Sequence, residues 1–120
     1  MCGLLLIIDK NLNSTKAKKA LDSMFHRGPD HQKTIKFQNM FLGFNRLAIQ
    51  DLSNNGAQPM TLKKKDGDIN LMFNGEIYNF LSLKKNTILS NESFVSKTDT
   101  EVILKLYNLL GIKKILDLIE

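Results

Sequence analysis

Met1-Cys2-Gly3-Leu4-Leu5-Leu6-Ile7-Ile8 opens the chain with one thiol set directly against an unbroken apolar run. Residues 3–8 are too few to cross a bilayer, and no basic segment precedes them, so they read as neither anchor nor signal peptide. An apolar residue at every position predicts a strand covered on both faces. Such a strand would hold the N-terminus rigidly, whereas most termini fray. Removal of Met1 would leave a thiol and an α-amine on Cys2. An α-amine has a pKa of about 7.7–8.0 and can act as a general base near neutral pH. A nucleophile that carries its own base is one reading; a cysteine at position two by accident is the other.

Downstream of this strand, Ser14 can cap a helix whose apolar residues Ala17, Ala20, Leu21, Met24 and Phe25 recur at helical spacing. His26-Arg27-Gly28-Pro29-Asp30 stops it, because Gly and Pro both oppose continuation. Ile35 and Phe37 alternate with polar residues as in a half-buried strand. Gln38-Asn39 is a candidate hairpin turn into a second strand over 40–49. Residues 50–60 form a polar loop, Ile69–Phe73 a further strand, and Phe94-Val95 a short one. Thr98-Asp99-Thr100-Glu101 matches a capping box ahead of the apolar face Val102, Ile103, Leu106, Leu109 and Leu110. Gly111 stands where a helix would end, and a second helix starts after it. These elements predict a single layered α/β or α+β domain over 1–120. Few elements remain to cover the first strand twice, so the domain is expected to be truncated on its C-terminal side.

One cysteine excludes an internal disulfide and a Cys-rich zinc site, and fits a reducing, cytoplasmic setting. The net charge is +5, yet it comes from 15 Lys and two Arg scattered without an aromatic stripe. That pattern suits a solvated surface rather than a nucleic-acid groove. The two arginines, Arg27 and Arg46, mark places that call for a planar, bidentate donor.

Four more positions carry candidate chemistry. Asn74-Gly75 is either a type I′ hairpin turn or an oxyanion hole, with the Asn74 amide and the Gly75 N–H donating to one oxygen. Arg46 is either a surface residue or a clamp on a carboxylate. Asp99 is either a helix-start residue that suits the macrodipole or an acceptor for an ammonium group. His26 and His31 read as structural or exposed residues, since an α-amine base needs no Cys–His pair.

Six ordered blocks together resemble one family. They are Met1-Cys2-Gly3, His26-Arg27-Gly28-Pro29-Asp30, Arg46-Leu47-Ala48-Ile49, Gly56-Ala57-Gln58-Pro59-Met60, Asn74-Gly75-Glu76-Ile77-Tyr78-Asn79 and Thr98-Asp99-Thr100-Glu101-Val102-Ile103. In this order they resemble the class II glutamine amidotransferase domain of asparagine synthetases. The resemblance implies an N-terminal nucleophile hydrolase fold, a four-layer αββα sandwich. It implies Cys2 as nucleophile, Asn74 and Gly75 as oxyanion hole, Arg46 and Asp99 on the α-carboxylate and α-ammonium of glutamine, and Glu76 as a further substrate contact. It implies a glutamyl thioester, released ammonia and no metal or cofactor in this chain. ATP and Mg²⁺ would belong to a downstream synthetase domain or chain that amidates aspartate or another carboxylate. A homodimer is compatible with it. Phe44 stands where the family usually has His, which is expected to alter the pocket wall. The alternative is a non-catalytic remnant or interaction module that needs a partner chain.

Overall fold

The computed structural model describes residues 1–120, apart from the side chain of Thr87. Strand β1 (Gly3–Ile8) pairs antiparallel with β3 (Met40–Arg46), which pairs on its other side with β2 (His31–Lys36). The β2–β3 hairpin closes over Gln38-Asn39 through a Phe37 N–H bond to the Met40 carbonyl at 2.8 Å. A second antiparallel ladder joins β4 (Met60–Leu62) to β5 (Ile69–Leu71). The chain is therefore a mixed α and β structure with two small antiparallel sheets.

Helix α1 (Ser14–Ser23) lies on the three-stranded sheet, where Ala17, Leu21 and Phe41 form a buried cluster with Leu5 and Ile7 against it. Its cap is Asn13 rather than Ser14: the Asn13 side chain accepts from the Lys16 N–H at 3.0 Å, the bond a helix start leaves open. At the other end, the buried Asn45 amide donates to the Leu21 carbonyl at 2.7 Å and ties the helix to β3.

The first strand departs from expectation. Leu5 and Ile7 pack against the α1 cluster and Gly3 against Met24, whereas Leu4, Leu6 and Ile8 are 41%, 51% and 67% exposed. The strand is apolar throughout, yet among the described residues one face is left open.

Short helix α2 (Phe80–Lys85) and helix α3 (Asp99–Leu116) pack around Ile77, Leu83, Leu89, Val102, Leu106 and Ile115. Val102 and Leu106 are one helical turn apart and face the same way, as the apolar spacing predicts. Gly111 adopts φ +73, a conformation that suits glycine, so α3 is two helices joined at a kink. The capping box does not form. Thr98 makes no side-chain cap bond, and the Glu101 carboxylate accepts instead from Val95 N–H at 3.1 Å and Ser96 N–H at 2.7 Å. Phe94-Val95 is therefore not a strand but a loop gathered onto Glu101.

Candidate active site

A cavity of about 330 Å³ opens where the N-terminus, the loop after β3, the segment after β5 and the start of α3 converge. Cys2, Arg46, Asn74, Gly75, Glu76 and Asp99, which lie as much as 97 positions apart in sequence, all line it. His26 and His31 do not line it.

Cys2 stands immediately before β1. The Gly3–Asn45 pairing brings it beside Arg46, the last residue of β3. The Cys2 Sγ accepts from the Leu47 N–H at 3.3 Å and, as a thiol, donates to the Leu47 carbonyl at 3.7 Å. The His26–Asp30 segment holds this corner. Arg27 Nε–H donates to the Cys2 carbonyl at 3.1 Å, and the Asp30 carboxylate accepts from the Ala48 N–H at 2.8 Å. Gly28 packs so closely on β3 that an added Cβ would lie 2.2 Å from the Asn45 carbonyl oxygen. The block thus clamps the nucleophile candidate to the strand carrying Arg46.

Arg46 is buried, and its guanidinium donates from Nη1 to the Ser53 carbonyl at 2.8 Å and from Nη2 to the Asp51 carbonyl. Gly56 lies against it, since a Cβ there would come within 2.4 Å of Nη2. Two of its five N–H donors are thus engaged, which leaves others for a ligand among the described residues.

Asn74-Gly75 is not a hairpin turn. A type I′ turn needs positive φ, and Gly67 and Gly111 are the glycines that have it. The chain instead runs from β5 through Asn74 and Gly75 toward α2. Neither the Asn74 side-chain amide nor the Gly75 N–H bonds to any of the described residues. Both are donors at the cavity.

The Asp99 side chain does not act as a helix cap. It is 4% exposed and its Oδ2 accepts from the Ile77 N–H at 3.0 Å, pinning the segment that carries Asn74, Gly75 and Glu76. Gln50 bridges the same wall: its amide donates to Glu76 Oε1 and its carbonyl accepts from the Asp99 N–H at 3.2 Å. Gln58, in a cis peptide with Pro59, donates to Thr100 Oγ1 at 3.1 Å and accepts from Phe73 N–H at 2.6 Å. Asp51 accepts from Ser53 and Lys97. The Lys97 and Ser53 donors, with a smaller contribution from the Arg46 charge, hold its carboxyl down to about 2.

Phe44 is fully buried in β3 and is not a wall of the cavity.

The whole chain, residues 1–120, matches the family model described as a glutamine amidotransferase domain. The chain belongs to the glutamine amidotransferase domain family. Asparagine synthetase (glutamine-hydrolyzing) 2 of Bacillus subtilis is 38% identical over 99% of this chain and 16% of its own length. Asparagine synthetase (glutamine-hydrolyzing) 1 of the same organism is 33% identical over 89% of this chain and 17% of its length. A third relative, asparagine synthetase (glutamine-hydrolyzing) 2 of Oryza sativa subsp. japonica, is 35% identical over 92% of this chain and 19% of its length. This amidotransferase domain therefore spans less than a fifth of these curated relatives. No helix among its described residues is long and apolar enough to cross a membrane.

Proposed function

We propose that this domain hydrolyses glutamine to glutamate and ammonia through a thioester on Cys2. The observation that carries the reading is the convergence of Cys2, Arg46, Asn74, Gly75, Glu76 and Asp99 on one cavity of about 330 Å³. That volume suits a free amino acid, at the small end of ligand sites.

Loss of Met1 exposes the Cys2 α-amine, which takes the thiol proton as the sulfur attacks the side-chain amide carbon. The oxygen of the tetrahedral intermediate accepts from the Asn74 amide and the Gly75 N–H, donors free of protein partners among the described residues. The C–N bond breaks, the amine proton goes to the leaving nitrogen, and ammonia departs. Water, deprotonated by the same amine, then attacks the thioester carbon; the C–S bond breaks, glutamate is released and the amine returns its proton to the Cys2 sulfur. The free Arg46 N–H groups hold the α-carboxylate, while Asp99 and Glu76 hold the α-ammonium.

The ammonia would serve an adjoining synthetase domain that activates a carboxylate, aspartate by default, with ATP and Mg²⁺; no residue of this chain is assigned to either. The four-layer αββα sandwich remains the fold expected around this site, in a reducing cytoplasm. Ammonia release from glutamine by the purified protein, against Cys2→Ala, tests the hydrolysis. Equal release by both, or none from a folded wild type with Met1 removed, overturns it.

A second reading, a non-catalytic module that needs a partner chain or segment, is favoured by the open face of Leu4, Leu6 and Ile8. Sedimentation of the isolated protein separates the two, because an active, well-folded monomer argues against a partner requirement.

A further inference from the structure

The loop after β3 carries a buried carboxylate that no step of the proposed hydrolysis uses. Asp51 is 7% exposed. Its Oδ1 accepts from the Ser53 N–H at 2.9 Å and the Ser53 hydroxyl at 2.7 Å, and its Oδ2 accepts from the Lys97 N–H at 2.8 Å. Its carbonyl accepts from Arg46 Nη2. One residue therefore touches both sides of the cavity. Arg46 comes from the end of β3, and Lys97 lies two positions before Asp99 at the start of α3.

The two oxygens do different jobs. The Ser53 bonds close a local Asp–Ser turn, which any polar loop can use. The Lys97 bond joins segments 46 positions apart, and the local turn does not require it. An α-amino acid presents its carboxylate and ammonium at one fixed spacing, so a pocket that reads both must hold its cation and its anion at a matching distance.

We propose that Asp51 is a positioning residue that sets the separation of Arg46 and Asp99, and so the register of the α-carbon end of glutamine against Cys2. This rests on the glutamine reading above. Asp51 is among the residues lining the cavity, but its carboxylate oxygens are taken by Ser53 and Lys97, so the role assigned to it runs through the Arg46 loop and the turn into α3.

Two substitutions separate the jobs. Asp51→Ala removes every side-chain bond. Asp51→Asn keeps the shape but offers one carbonyl oxygen, which can serve Ser53 or Lys97 but not both. The full chain, with Met1 removed, is treated with two electrophiles that trap Cys2: iodoacetamide, and a glutamine-shaped γ-diazoketone that must first dock by its α-carboxylate and α-ammonium. Both variants are expected to slow the diazoketone about ten- to hundredfold, with iodoacetamide changed by less than about twofold. KM for glutamine should rise with most of kcat kept.

Asp51→Asn reacting with the diazoketone at the wild-type rate overturns the proposal. So does an equal loss with both reagents, which would mark a general loosening of the fold. A wild-type chain that reacts with iodoacetamide but not with the diazoketone sinks the glutamine reading, and the Asp51 proposal with it.

Discussion

The Leu47 amide N–H points at the Cys2 sulfur from 3.3 Å. The residue after the Arg46 strand thus supplies a hydrogen-bond donor to the sulfur. The nucleophile candidate and the carboxylate-binding candidate are set by the same strand end, so their spacing is a property of the β1–β3 register.

Replacing Cys2 with Ser keeps a hydroxyl near Leu47 but removes the thiol. Glutamine hydrolysis is expected to fall by at least about a thousandfold, with far-UV circular dichroism unchanged. Ammonia assays on protein with verified Met1 removal provide the measurement.

Truncating the free amide of Asn74 to Ala should lower kcat by about a hundred- to a thousandfold and leave KM near the wild-type value, since an oxyanion donor acts mainly in the transition state. A rise in KM with kcat intact would instead assign Asn74 to ground-state binding.

Arg46→Lys retains the charge but cannot reach the Asp51 and Ser53 carbonyls in a fork while keeping donors for a ligand. KM for glutamine should rise roughly tenfold or more, with the unfolding midpoint lowered as well. Steady-state kinetics beside thermal denaturation resolve the two effects.

Gly28→Ala places a Cβ 2.2 Å from backbone atoms of Asn45, which cannot move without opening the β1–β3 ladder. Destabilisation of about 3 kcal/mol or more is expected, at the upper end of overpacking costs. Urea unfolding measures it.

The Asp51 carboxyl titrates at about 2 in the folded chain against 3.8 for an unperturbed aspartate. A depressed folded-state value means that the carboxylate contributes stability above about pH 4 and loses it as the pH falls toward about 2. The urea midpoint of the wild type should drop through that window, and Asp51→Asn should show a shallower drop. Equal slopes in both would remove Asp51 from the acid response.

Much of the frame is legible in the sequence because its signals are local. The Gly3–Ile8 run, the stop at Gly28-Pro29 and the break at Gly111 each follow from a few adjacent residues. The signals that mislead are also local. Asn74-Gly75 has the composition of a hairpin turn, but Asp99 pulls the Ile77 amide across and no returning strand follows. Thr98 and Glu101 have the spacing of a capping box, but Glu101 finds the Val95 and Ser96 amides instead. The six residues gathered at the cavity are recognisable only as an ordered set. Gln50, Asp51 and Gln58 escape notice as individual contributors because the bonds by which they join separate segments cross 15 to 49 positions of chain, and nothing in a polar loop announces a distant partner.

Cys2 lies one residue ahead of a paired strand, and Met1, 78% exposed, sits at the mouth of the cavity. A tag or fusion joined ahead of Cys2 would convert its amine to an amide and take away the lone pair that receives a proton. It would also thread a peptide past the opening of the cavity that Met1 lines, the proposed entry for glutamine. On the proposed mechanism, removal of Met1 is therefore a precondition for hydrolysis, and recombinant versions should carry every appendage at the opposite end.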